Sequence, residues 1–419
     1  PGAMGAYQAF MGSFTARLAA EDLPKLPSVE DIEKVIADTN NSCAGPDGIG
    51  FQVYRSLAGL FAPIMHRLMV DLAAGVPPPD NFNEALLFLI SKGGTMTALD
   101  MRPLAVTNAD NRILAKCMVL VLAPALETVI GKHQAGFMEG RDGATHIREA
   151  NEKFYGAVKR GGRAYHILFL DLEKAYDSLK WEWLSETMVA VGLPLWVCNV
   201  VGAMLHDVKL TPFFGDRVSV WISVTRGVRQ GCPLSPLLFV LAYEPLLTRL
   251  AKVHPGVDRW AFADDLACGS HHLLDITGVM RVMDRFTLCS GLRASVPKCI
   301  LVSSKHVPSE YKRWLYSGTV PWAGEGRVGF AIRDAHKYLG LPMGRLLTTE
   351  DTFEAPVAKM TQRMRSYKPG LRMTSVHTRV LAWNVFVSSI SVYVEGFFLF
   401  PYSLKDGARP KLMRAVRDT

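Results

Sequence analysis

The chain has 419 residues, of which 49% are hydrophobic and 21% charged, enough to bury a large core and to fold as a globular protein of two or three subdomains. Its seven cysteines, at 43, 117, 198, 232, 268, 289 and 299, form no Cys-x-x-Cys pair. That excludes a zinc ribbon and a secreted disulfide framework and points to a reducing intracellular compartment, nucleus or cytoplasm. The formal net charge of +8 and pI of about 9.1 lean towards polyanionic partners.

Taken in chain order, residues 1–5 look like the remnant of a cleaved affinity tag and are set aside. Helical patterns cover 28–72, interrupted by the turn-rich "AGPDGIG" at 44–50, and Pro77-Pro78-Pro79 marks a loop. "EALLFLISKGG" at 84–94 ends on two glycines. Residues 111–131 are apolar on most sides, which predicts a buried helix, and a second helix is expected over 144–158, closed by Gly161-Gly162. In "AYHILFLDLEKAYDSLKWEWL", from 164, the first seven residues are almost continuously apolar and the rest have helical spacing. Asp171 therefore sits where a strand covered on both faces stops.

Residues 209–224 read as a hairpin, followed by the loop "RGVRQGCPLSP" at 226–236. Ser235 and Pro236 suit the N-cap and first position of a helix that Pro245 should kink or divide. "RWAFADDLACG" at 259–269 reads as strand, tight turn, strand, and a helix is expected over 276–288. The apolar run 380–400 contains Asn384, Ser388, Ser389, Ser391 and Glu395, so it is expected as a buried helix and strand rather than a membrane span. Residues 355–394 hold six basic side chains and no acidic one, and 403–419 add five basic against two acidic. Such a region suits either a phosphate-binding surface or a solvated helix face.

Asp264-Asp265 poses a physical problem. Adjacent carboxylates repel, and Asp-Asp is a poor choice for a two-residue hairpin turn, which prefers Asn-Gly or Asp-Gly because positive φ is needed. Alone, the pair reads as an exposed acidic turn, and Asp171 alone as a helix N-cap. Together, three carboxylates at strand ends flanked by apolar residues can form a hard-oxygen site for Mg²⁺, and paired ions suit in-line phosphoryl transfer.

Nine motifs then carry a resemblance. "FLDLEKAYDSL" (169–179), "RGVRQGCPLSPLLF" (226–239), "FADD" (262–265), "GLRASVPKC" (291–299) and "YLGLPMG" (338–344) resemble, in order and spacing, the palm motifs of reverse transcriptases. Upstream, "GPDGIG", "LISKGG", "MRPLAVTNADNRILAK" and "HQAGFMEGRDGATHI" resemble the finger motifs of the non-LTR retrotransposon (LINE-like) branch, related to group II intron enzymes. Two departures occur: Phe262 stands where the motif usually has Tyr, and Cys299 where a polar residue is commoner.

The resemblance implies an α+β right-handed polymerase, with fingers at 6–163, a palm of antiparallel sheet and helices at 164–345, and a helical thumb at 346–419. It implies an RNA-directed DNA polymerase that extends a primer 3′-hydroxyl with dNTPs by two-metal phosphoryl transfer. RNA template, RNA or DNA primer and two Mg²⁺ ions, replaceable by Mn²⁺, would be its partners. No endonuclease, ribonuclease H or cysteine-rich nucleic-acid module is visible, so a polymerase core of a larger element and a stand-alone enzyme are both open. So are two rivals: a catalytically silent RNA-binding scaffold, and an RNA-dependent RNA polymerase or terminal nucleotidyltransferase on the same palm.

By resemblance, Asp171, Asp264, Asp265 and the Leu172 carbonyl hold the metals, and Lys298 donates a proton to pyrophosphate. Lys92 and Arg102 grip the triphosphate, as a compact and a bidentate cation can. Tyr176 meets the nucleotide sugar, and Gln230 and Gly231 contact nucleotide and template, with Arg229 beside them on nucleic acid. Leu339 and Gly340 form a primer grip, and Arg363, Arg365, Lys368 and Arg372 track the duplex backbone.

Overall fold

The computed structural model describes residues 2–91, 101–214, 217–218, 220–316, 330–371 and 375–398. Its N-terminal part is helical: α1 (Gly2–Met11), α2 (Val29–Ala37), α3 (Phe51–Ser56) and α4 (Ala58–Ala73). Ser28 starts α2 with a capping box, its hydroxyl accepting from the Asp31 N–H at 3.1 Å while the Asp31 carboxylate accepts from the Ser28 N–H. Residues 2–5, set aside as part of a tag remnant, fall at the start of α1.

A first sheet is built from β1 (Glu84–Ser91), β2 (Met101–Thr107), β4 (Val208–Phe214), β5 (Arg217–Val218) and β6 (Ile222–Val224). β1 pairs antiparallel with β2 and parallel with β4, and β4 turns back on β6 as the hairpin expected over 209–224. Between β2 and β4 lie α5 (Ala109–Val129), α6 (Gly143–Arg160), β3 (His166–Leu170), α7 (Ala175–Ser178), α8 (Trp181–Ala190) and α9 (Leu195–Met204). α6 begins on the Asp142 side chain, which accepts from Thr145 N–H at 2.8 Å, and closes on Gly161.

The rest comprises α10 (Ser235–Val253), β7 (Asp258–Phe262), β8 (Asp265–Ser270), α11 (Leu273–Ser290), β9 (Ile300–Ser303), α12 (Ser309–Tyr316), β10 (Ala331–Arg333), β11 (Ala335–Tyr338), β12 (Leu341–Gly344), α13 (Thr349–Leu371), α14 (Val376–Ala382) and α15 (Ser389–Glu395). A second sheet runs β10-β9-β3-β8-β7, and β11–β12 form a separate hairpin. β3 lies between antiparallel β8 and β9, and all five of its residues are buried. Leu168 and Leu170, with Leu266 and Cys268 of β8, face a core shared with α5, α8, α10 and α11. Ile167, Phe169 and Ala267 face a second core under α6, β11–β12 and α13. Two covered faces explain why this strand reads as an unbroken apolar run.

Three expectations are corrected. α10 begins at Ser235 itself, with Leu234 as N-cap and no side-chain cap bond, because the chain is already in the right-handed helical conformation at Leu234. Pro245 does not divide that helix: its residues up to Leu247 are nearly all buried, and packing holds it together. The apolar run from 380 holds no strand among the described residues: α14 passes through a π-helical turn (Trp383–Ser388) into α15. Leu381, Val385, Phe386 and Val392 there are exposed rather than buried. No helix among the described residues is long and apolar enough to cross a membrane.

Candidate active site

The two sheet strands that matter run out together. In the β3–β8 register Leu170 faces Leu266, so the next residue on one strand, Asp171, stands opposite the preceding residue on the other, Asp265. Alternation gives both the parity of Phe169 and Ala267, the face towards the β11–β12 hairpin. Asp264 occupies the turn between β7 and β8. The paired residues flanking that turn are Phe262 and Asp265, so its two residues are Ala263 and Asp264 rather than Asp264 and Asp265. Ala263 takes the positive φ of 55° and Asp265 opens β8.

Burial raises the Asp264 carboxyl above its ordinary range, and the nearby Asp171 charge adds to it. Asp265 is pushed up to about 6, by burial first and then by Asp264 and Asp171. The arrangement is thus short of positive charge. Lys298, at the end of a 3₁₀ turn (Val296–Lys298), places Nζ 3.6 Å from Asp171 Oδ2. Oδ2 is enclosed and has no hydrogen-bond partner.

On the other side of β3, Ser295 N–H donates to the Asp171 carbonyl and Glu173 N–H to Arg293. Leu172 faces Ala294 between those two bonds, so its own carbonyl points away from Ala294 towards the β8 side. Cys299 is buried beneath, its thiol 3.9 Å from the Asp171 carbonyl. Among the described residues no group of three or more His, Cys, Asp or Glu side chains is gathered closely enough to hold a metal ion by itself, the three aspartates included. An open set of carboxylates, one oxygen of which accepts no hydrogen bond, fits a Mg²⁺-type ion, which keeps waters and takes its remaining ligands from substrate phosphates.

Tyr176, on α7, lies stacked on Phe239 with centroids 5.0 Å apart and 5° between planes. Burial raises its hydroxyl pKa, and the Asp264 charge adds to the effect. Arg102 is exposed on β2, paired with Ile90. The Gln230 carbonyl accepts from Ala105 N–H at 2.7 Å, which docks this loop on β2. Gly231, at φ 114°, is required by that docking: a Cβ would come within 2.5 Å of the Ala105 carbonyl. The close neighbour on this side is β2.

Arg229 is a correction. Expected on nucleic acid, it is buried instead, its guanidinium donating to the Met204 carbonyl at 3.0 Å and, at longer range, to the Asn83 and Asn111 side chains. It braces α9 against the residue that precedes β1 and against α5. A cavity of about 330 Å³ opens behind the same loop, lined by Leu87, Pro103, Trp181, Leu210 and Val228, and contains none of the three carboxylates.

Leu339 and Gly340 form the β11–β12 turn with φ of 45° and 87°, the double positive φ of a tight hairpin. Arg363 donates to the Phe386 carbonyl in the π-helical turn at 2.8 Å, so part of its guanidinium braces α13 rather than facing outward. Arg365 is exposed on α13. Lys368 also lies on α13, while its side chain, like Lys92 and Arg372, is outside the described residues.

Sequence reasoning missed Gln134 and Arg141. Both lie in "HQAGFMEGRDGATHI", expected among the fingers, yet this segment bonds directly to β7 and its turn. Gln134 is the second residue of that segment, and nothing in the sequence marked it as buried.

Residues 90–343 match the reverse transcriptase (RNA-dependent DNA polymerase) family, more than half of the chain. The chain belongs to the reverse transcriptases. This reverse transcriptase is 30% identical over 314 residues to the retrovirus-related Pol polyprotein from the type-2 retrotransposable element R2DM of Drosophila melanogaster, a match covering 72% of this chain and 29% of that protein. It is 26% identical over 269 residues to the 149 kDa protein of transposon TX1 from Xenopus laevis, covering 62% of this chain and 20% of the relative. An R2 Pol polyprotein of Popillia japonica is 25% identical over 286 residues, 65% of this chain and 39% of the relative. The chain thus spans well under half the length of these relatives. They support the non-LTR branch, and the family's chemistry is RNA-directed DNA synthesis.

Proposed function

We propose that this reverse transcriptase extends a primer 3′-hydroxyl on an RNA template with dNTPs, using two Mg²⁺ ions at the end of β3 and the β7–β8 turn. The observation that carries the reading is the convergence of Asp171, Asp264 and Asp265, with raised carboxyl pKa values at Asp264 and Asp265 and an Asp171 Oδ2 that accepts no hydrogen bond. Asp171, Asp264, Asp265 and the Leu172 carbonyl would hold the ions, with Mn²⁺ able to substitute. Ions bound there would activate the primer hydroxyl and neutralise the departing pyrophosphate.

The chain's own residues supply the rest. Lys298, whose Nζ lies beside Asp171, gives its proton to pyrophosphate in this reading. Arg102 and Lys92 hold the triphosphate, and Gln230 and Gly231 border the nucleotide. The Tyr176 ring, held flat by Phe239, fills the space a 2′-hydroxyl needs. Leu339 and Gly340 support the primer end, and the basic face of α13 follows the duplex. The division into fingers, palm and thumb, and action inside the cell, belong to the same proposal.

The test is primer extension on RNA and DNA templates, with dNTPs or rNTPs, with and without primer, in Mg²⁺ or EDTA. Mg²⁺-dependent, primer-dependent dNTP extension on RNA is expected. No extension, or equal use of rNTPs, overturns the reading.

A further inference from the structure

The β7–β8 turn is held by a residue more than a hundred positions upstream. Gln134 is fully buried, and its side-chain amide reads both backbone groups of Ala263: Nε2 donates to the Ala263 carbonyl at 3.1 Å, and Oε1 accepts from the Ala263 N–H at 2.8 Å. Oε1 also accepts from Gly136 N–H at 2.9 Å. The backbone alongside is bonded in parallel with β7, Ala261 N–H donating to the His133 carbonyl at 2.7 Å and Ala135 N–H to Ala261 at 2.8 Å. Gly136 makes the approach possible, since a Cβ there would lie 2.2 Å from the Ala263 nitrogen. Arg141 locks the segment from behind, donating to the carbonyls of Gly131 at 2.7 Å and Gln134 at 3.0 Å and to those of Glu127 and Ile130 at the end of α5.

Ala263 at φ 55° is in a conformation that an alanine does not hold unaided, and it is the residue before Asp264. A residue so placed persists only when its surroundings over-determine it. Here one amide satisfies both the N–H and the C=O that this conformation turns inward.

We infer that Gln134 is a positioning residue for catalysis: it fixes the left-handed conformation of Ala263 and thereby the direction in which Asp264 presents its carboxylate. The inference rests on the polymerase reading above for its consequence, while the clamp itself is a matter of geometry. Gln134→Met keeps the bulk and removes both hydrogen-bonding ends. Gln134→Glu keeps Oε1 and replaces the donor with an oxygen facing the Ala263 carbonyl.

Three readouts test the inference: single-turnover dNTP addition with template-primer KM, Mn²⁺ binding followed by electron paramagnetic resonance, and amide exchange over 258–268. A displacement near an ångström costs on the order of 100-fold, so Gln134→Met should lower kcat about 10- to 100-fold, with template-primer KM moving less than about threefold. Mn²⁺ affinity should fall and exchange at Ala263 should quicken while exchange over α10 stays as in the parent. Adding Ala263→Gly to Gln134→Met removes the Cβ cost of positive φ and should restore kcat at least about fivefold. A merely structural role would give parallel losses of kcat and template binding with no rescue, and that result overturns the inference. Parent-like kcat and exchange in Gln134→Met overturn it too. Should Gln134→Met not fold, Gln134→Glu decides in the same way, lowered kcat with retained template binding supporting the clamp and unchanged kcat refuting it. Should the parent itself fail to extend primers, the polymerase reading falls, and the exchange and Mn²⁺ data still decide whether Gln134 holds the turn.

Discussion

The Tyr393 hydroxyl donates to the Leu339 carbonyl at 2.8 Å, tying α15 to the turn of the β11–β12 hairpin. Its ring packs edge-on against Phe397, centroids 5.5 Å apart. If the hairpin supports the primer end, this bond couples it to the basic helical region. Tyr393→Phe removes a bond of about 0.5–1.5 kcal/mol and should speed template-primer dissociation by about two- to tenfold, with single-turnover chemistry nearly unchanged. An unaltered dissociation rate makes the bond a packing detail.

Asp264→Asn deletes a charge and keeps the shape. Extension should drop by several orders of magnitude while template-primer affinity changes little. Comparable extension by the variant would remove Asp264 from the ligand set. Because ligands must be deprotonated and Asp265 is raised to about 6, the Mg²⁺ concentration for half-maximal rate should climb steadily as pH falls below 6.

The proposed role of Tyr176 in sugar choice has its own test. Tyr176→Ala should raise rNTP use relative to dNTP and lower dNTP incorporation modestly through lost packing on Phe239. Tyr176→Phe should behave like the parent, because the ring and not the hydroxyl fills the space. An unchanged rNTP-to-dNTP ratio in Tyr176→Ala would falsify the steric assignment.

Glu244 carries a pH dependence of stability. It lies buried in α10, and burial raises its carboxyl to about 7 against opposing bonds from Gly131 N–H and Thr248 and the charges of Arg141 and Arg259. A raised folded pKa means that its favourable contribution is complete below the unfolded value near 4.5 and is lost as pH climbs through 7. The shift corresponds to a loss on the order of 3 kcal/mol by pH 8. Glu244→Gln keeps an acceptor for Gly131 and should flatten the Tm-versus-pH slope between 4.5 and 7, leaving the variant more stable than the parent at pH 8. An unaltered slope by calorimetry assigns the buried proton elsewhere.

The basic residues of α13 should divide by role. Neutralising Arg365 and Lys368 should flatten the slope of log affinity against log salt by roughly one or two units, equally for all template sequences. Arg363→Gln, which loses the bond to the Phe386 carbonyl, should lower Tm more than it alters the salt slope. Identical salt slopes in the parent and the double variant return α13 to a solvated face.

Local chemistry made much of this protein legible in its sequence. The unbroken apolar run before Asp171 marks a strand covered on both faces, and nine ordered motifs identify the family because each is a short stretch whose residue types serve one job. What the sequence could not decide depends on partners far along the chain. Arg229 sits in a motif loop and carries a phosphate-binding side chain, yet Met204, Asn83 and Asn111 enclose it. Gly231 accepts a close approach in any context, and only the tertiary structure shows that β2 makes one. The two aspartates read as the turn itself, whereas pairing of Phe262 with Asp265 moved the turn back by one residue to Ala263-Asp264. Gln134 holds Ala263 in a conformation that alanine's own propensity opposes. Sequence sets which conformations are cheap for each residue; long-range hydrogen bonds to buried backbone groups, costly to leave unmade, decided which of them is adopted at the site.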